Sequence, residues 1–108
     1  MPKYLFQGSY TEPGLQGLLK EGGSKRREVA EQLAKGMGGR LEVFYYAFGG
    51  DDYFIILDLP SSVDAAAVSL AANASGAMKS RTTVLMTPEE VDQATKKKAS
   101  FRPPGQSL

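Results

Sequence analysis

The segment from Leu41 to Pro60, LEVFYYAFGGDDYFIILDLP, constrains this chain more than any other. It reads as two β-strands folded back on each other around Gly49-Gly50-Asp51-Asp52. Side chains alternate along a strand, so Leu41, Val43, Tyr45 and Ala47 are expected on one face and Phe44, Tyr46 and Phe48 on the other. In the second strand Tyr53, Ile55, Leu57 and Leu59 oppose Phe54 and Ile56. Both faces of the hairpin are therefore apolar. A sheet in a small α+β domain covers one face with helices and leaves the other wet. Here something must cover the second face as well, and a second copy of the chain is the simplest cover.

The chain has 108 residues, one domain by length. A chain of this size buries roughly two-thirds of its unfolded surface, so it folds alone but gains from pairing. Thirteen basic and 12 acidic residues leave a net charge of +1. That balance lacks the clustered positive charge that nucleic acid or an anionic membrane requires. There is no cysteine and no histidine. Zinc sites, thiolate nucleophiles, imidazole ligation of haem and Ser-His or Cys-His pairs are excluded with them. No cofactor and no metal site is expected. The start, MPKYLFQGSY, lacks a basic stretch followed by the roughly 7–15-residue apolar run of a secretory signal. No run approaches the ~18 apolar residues of a membrane span. The expectation is a soluble, cytoplasmic protein.

Along the chain, Lys3 to Tyr10 alternates as a strand, with Tyr4, Phe6 and Gly8 opposite Leu5, Gln7 and Ser9. Thr11 is a helix N-cap ahead of Glu12 and Pro13. Leu15, Leu18 and Leu19 give a short apolar face before Gly22-Gly23. Ser24 is expected to cap a second helix through Gly36, with Val29, Ala30, Leu33, Ala34 and Met37 at helical spacing. Gly38-Gly39 stops it. After Pro60, Ser61 or Ser62 opens a third helix whose buried stripe is predicted to be Val63, Ala67, Leu70 and Ala74. Gly76 closes it. Lys79 to Thr87 is the fourth strand, and Thr87-Pro88-Glu89-Glu90 begins a short extra C-terminal helix to about Lys97. Residues 1–97 form the single domain, and 98–108 read as a flexible tail. The order is β-α-β-β-α-β, an α+β, ferredoxin-like arrangement with a four-stranded antiparallel sheet and helices on one face. Two such sheets packed through their bare faces make a dimeric α+β barrel, the reading favoured by the surplus Phe and Tyr.

The order of elements, the opening YLFQGSYTEPGLQGL, Gly38-Gly39 before the second strand, and Phe44-Tyr45-Tyr46 ahead of a glycine turn resemble the GYD-domain proteins. The resemblance runs from about Lys3 to Glu90. It implies a ferredoxin-like, dimeric α+β-barrel fold of the kind found in small bacterial and archaeal proteins, a family with no firmly established function. The family's Gly-x-Tyr-Asp turn falls on Gly49, Gly50, Asp51 and Asp52, with Asp51 where the tyrosine belongs. Tyr53, two residues on, is the available substitute.

Asp51 and Asp52 together could share a proton or hold a divalent cation. The competing reading is a hairpin turn, to which Gly and Asp contribute backbone angles and local hydrogen bonds. Tyr10, Tyr45, Tyr46 and Tyr53 could line a ligand cavity between paired sheets, or fill a subunit core. Asp58 and Arg81 could pair across the sheet or mark the polar end of a pocket as acid and anchor, and simple placement at an edge or rim is the competing reading. Lys96-Lys97-Lys98 with Arg102 is the only basic run and reads as solvated tail, without nucleic-acid function. The glycine pairs fit no phosphate loop.

The leading functional reading is a homodimeric ligand-binding or structural α+β-barrel protein without established catalysis, the ligand considered being a small hydrophobic molecule between the sheets. The alternative is a cofactor-independent monooxygenase or isomerase acting on an enolisable substrate. In it Asp52 or Asp58 would be the general base, Arg81 the oxyanion partner and Tyr46 the orienting group. A third reading is a protein-interaction module that would copurify with a different chain.

Overall fold

The computed structural model describes residues 1–106. Eight elements follow one another: β1 (Lys3–Tyr10), α1 (Glu12–Glu21), α2 (Gly23–Gly36), β2 (Arg40–Tyr46), β3 (Tyr53–Asp58), α3 (Ser62–Ala74), β4 (Met78–Leu85) and α4 (Pro88–Thr95). The strands form one antiparallel sheet in the order β2-β3-β1-β4. That order is compatible with a ferredoxin-like α+β fold, as the sequence predicts.

Local signals set the helix ends. The Thr11 side chain accepts from the Gly14 N–H, with Pro13 in the first turn. Ser61 accepts from the Asp64 N–H. At Thr87 both halves of a capping box are made with Glu90. The second helix departs from expectation. It begins at Gly23, its cap is Gly22 at φ +86°, and Ser24 makes no cap. Gly22 turns the chain so sharply between α1 and α2 that only a residue without Cβ fits readily. At its far end the Gly39 N–H donates to the Ala34 carbonyl and the Gly38 N–H to Lys35, so Gly38-Gly39 stops the helix as predicted.

The core lies between the helices and one sheet face. Tyr4, Phe6, Leu57, Leu59, Ala34, Ala65 and Val68 form it, with Met37, Leu41 and Ile55 packed around them. α2 lies over β2 and α3 over β4. Two expectations are corrected here. The buried stripe of α3 is Ala65 and Val68, whereas Val63 and Leu70 are 78% and 71% exposed and Ala67 and Ala74 face solvent. The helix is apolar nearly all round, so pattern alone does not choose its inward side. In β2 a bulge between Leu41 and Val43 advances the strand by one residue. Leu41, Phe44 and Tyr46 consequently share the helix-covered face, and Val43 and Tyr45 turn to the opposite one. The uninterrupted alternation expected for β2 breaks at that point.

Residues 96–106 add no further helix or strand, and the predicted tail runs on to positions 107–108, which lie outside the described residues. No helix among the described residues is long and apolar enough to cross a membrane.

Candidate functional site

The register divides the sheet into two surfaces. The face away from the helices presents Lys3, Leu5 and Gln7 of β1, Val43 and Tyr45 of β2, Phe54, Ile56 and Asp58 of β3, and Arg81, Thr83 and Leu85 of β4. Its centre is the apolar row Val43-Ile56-Leu5, with Tyr45, Phe54 and Gln7 in the next row. Tyr45 stands 71% exposed.

Charge borders this apolar centre at both ends. At one end Asp58 accepts from Lys3 Nζ at 2.8 Å and pairs with Arg40 Nε at 2.8 Å, while Lys3 also reaches Glu42 at 2.7 Å. Burial by itself would raise the Asp58 carboxyl. Lys3 and Arg40 outweigh it and hold the group below the usual carboxylate range. At the other end Arg81 forks onto Asp51, with Nη2 to Oδ2 at 2.7 Å. Asp58 and Arg81 do not pair with each other, the sequence expectation notwithstanding. In the register Asp58 stands opposite Lys3 and Arg81 opposite Gln7, four residues further along β1.

The adjacent carboxylates Asp51 and Asp52 part company. Asp51 holds Arg81, whereas Asp52 Oδ2 accepts the Tyr10 N–H at 2.9 Å. Asp52 also donates its N–H to the Gly8 carbonyl and accepts from the Ala47 N–H. Asp52 is thus a strut of the β2–β3 turn, clamping it to the end of β1. Among the described residues no group of three or more carboxylates could hold a metal ion.

The second surface lies beneath the helices. Of the four tyrosines expected between paired sheets, Tyr10, Tyr46 and Tyr53 are here, and Tyr45 alone faces the open side. Tyr10 and Tyr53 rings pack 5.4 Å apart, and the Tyr46 hydroxyl donates to the Gly23 carbonyl at 3.2 Å. Burial raises all three phenols above their ordinary value, so each stays protonated and able to donate. Tyr10 and Tyr53 border a cleft of about 270 Å³ between α2, α3 and the sheet. Arg26 reaches into its lining, a residue absent from the candidates read from the sequence. A signal for it existed: Arg26 precedes Val29, Ala30 and Leu33 by three, four and seven residues, which places a charge on the apolar face of the helix.

No curated protein and no solved structure matches this chain significantly. The model of the GYD domain matches residues 4–95, which runs from the core tyrosine of β1 to the last residue of α4. With this match over most of the sequence, the chain belongs to the GYD-domain family.

Proposed function

We infer that the chain works as a self-paired binding protein, two copies meeting through their open sheet faces to enclose an α+β barrel. The observation that carries this reading is the apolar row Leu5, Val43 and Ile56 at the centre of a face from which all the sheet-packed helices are absent. An apolar area of this kind, rimmed by ion pairs, has the composition of a subunit interface. A small hydrophobic ligand held between the sheets would meet Gln7, Tyr45, Phe54 and Arg81.

Binding rather than catalysis is supported by how the acidic groups are engaged. Asp58 carries two cations, Asp51 carries Arg81, and Asp52 accepts a backbone N–H. A general base needs an available, raised carboxylate, and the shift at Asp58 runs the other way.

Light-scattering mass of the purified chain tests the pairing. Twice the chain mass is expected at micromolar concentration. Ile56→Lys places a charge in the middle of the row and should give a folded single chain. A wild-type protein that stays single at every concentration would overturn the reading, as would one isolated in stoichiometric complex with a different chain.

A further inference from the structure

The cleft beneath the helices is polarised along the strands. At one end the sheet contributes Phe6, Phe44, Ile55 and Leu57. At the other it contributes Tyr10, Tyr53 and Ser80. The walls are the inner sides of α2, with Arg26 and Leu33, and of α3, with Val68 and Ala72. Among the described residues Arg26 is the only charged one lining it. Arg26 also shares an adjoining recess with Tyr10 and Met78, which places its charge at the tyrosine end.

Two polar atoms in this region have no partner. Tyr53 is 1% exposed, yet its hydroxyl makes no hydrogen bond, and neither does Oγ1 of Thr82, which stands opposite Phe6 on the same face. A buried donor left unpaired costs about 1–3 kcal/mol, and native proteins seldom keep one without a use for it. Arg26 is also under-employed: its ion pair to Glu21 is long, at 3.6 Å, and both side chains are partly solvated. An apolar cavity of roughly 150 Å³ takes up benzene, so the present cleft has room for one ring with a short chain. Its lining is mostly apolar with a few convergent polar groups, the usual make-up of a small-molecule site.

We propose that this cleft binds a small carboxylate-bearing molecule with a single-ring or short-chain apolar body. The body lies on Phe44, Ile55 and Val68, and the carboxylate faces the Tyr53 hydroxyl and the Arg26 guanidinium. The site is contained within one chain and does not depend on pairing through the open sheet face.

Calorimetric titration of the full chain with phenylpropanoate, and with its uncharged amide, tests this. The acid should bind, and the amide about tenfold more weakly, the difference expected from one charge-assisted hydrogen bond. Tyr53→Phe keeps the ring and removes only the orphan hydroxyl. It should fold with undiminished stability and bind the acid about tenfold less tightly. Arg26→Gln should make acid and amide bind alike. Ala72→Leu should fill the cleft and abolish both. Ile56→Lys, although unpaired, should bind as the wild type does, so failure of the pairing and failure of the cleft are separable. Equal affinity for acid and amide in the wild type would overturn the proposal. So would undiminished binding in both Tyr53→Phe and Ala72→Leu, or no heat of binding at millimolar acid.

Discussion

Asp58 interrupts a strand otherwise composed of Tyr, Phe, Ile and Leu, and it is 5% exposed. A carboxylate tolerates such burial only when paired, and Lys3 and Arg40 on the flanking strands supply the pairing. Asp58→Asn should lower stability by about 1–3 kcal/mol, read by urea unfolding. The Asp51–Arg81 pair is more exposed, so Arg81→Ala should cost under about 1 kcal/mol. Because the folded Asp58 group titrates below its unfolded value, its stabilisation is complete above the ordinary carboxylate value of about 3.9. It is lost as pH falls from there through the lower folded value. Melts in acid should therefore show a drop in that window that Asp58→Asn lacks. The sequence made Asp58 conspicuous and left pairing with Arg81 as one option, which the register rules out. Only the register shows that Arg40 and Lys3, each more than fifteen residues away, stand in its row.

Elements in this chain meet at glycines and alanines, and the same substitution has opposite consequences in adjacent turns. Gly14 lies on the buried side of α1, and a Cβ there would run into the Ala77 carbonyl. Three residues later, Gly17 has open space around its Cα. Gly17→Ala should stabilise the protein by about 0.5–1 kcal/mol, the usual gain inside a helix. Gly14→Ala should destabilise it, since the neighbouring backbone has no room to move. Thermal melts of the two variants side by side check both signs. In α3, Val68→Ala should cost about 1–2 kcal/mol by removing buried methyls, while Leu70→Gln should stay within about 0.5 kcal/mol. The predicted stripe through Leu70 reverses that order. Alanine on every side of α3 made its orientation illegible, because what selects the inward face is the fit of small side chains against β4, not their hydrophobicity.

For the molecule as a whole, the sheet divides into a helix-covered face and an open face, and the two proposals fall on opposite sides of it. If the open faces pair, the midpoint of thermal unfolding rises with protein concentration, since association favours the folded state by mass action. Ile56→Lys should remove that dependence. A concentration-independent midpoint in the wild type would contradict pairing. Tyr10 and Tyr53 line the cleft on the covered side, so their substitution should alter it and leave the mass of the assembly unchanged.

Much of this follows from the sequence alone. Period-two alternation, the caps at Thr11, Ser61 and Thr87, and the glycine stops carry short-range geometry, and short-range geometry is written in adjacent residues. They determine the order of strands and helices, and with it the α+β class. The surplus of apolar residues in the hairpin likewise announces that both sheet faces carry apolar side chains. Which face each tyrosine occupies is decided elsewhere. One extra residue in β2 inverts the phase of Leu41 relative to Val43, a helix apolar all round takes its orientation from the sheet, and Arg26 becomes a cleft residue only once α2 is laid over β2. These outcomes depend on register and on close packing between segments distant in the chain, and a one-residue slip in either moves a side chain to the opposite surface.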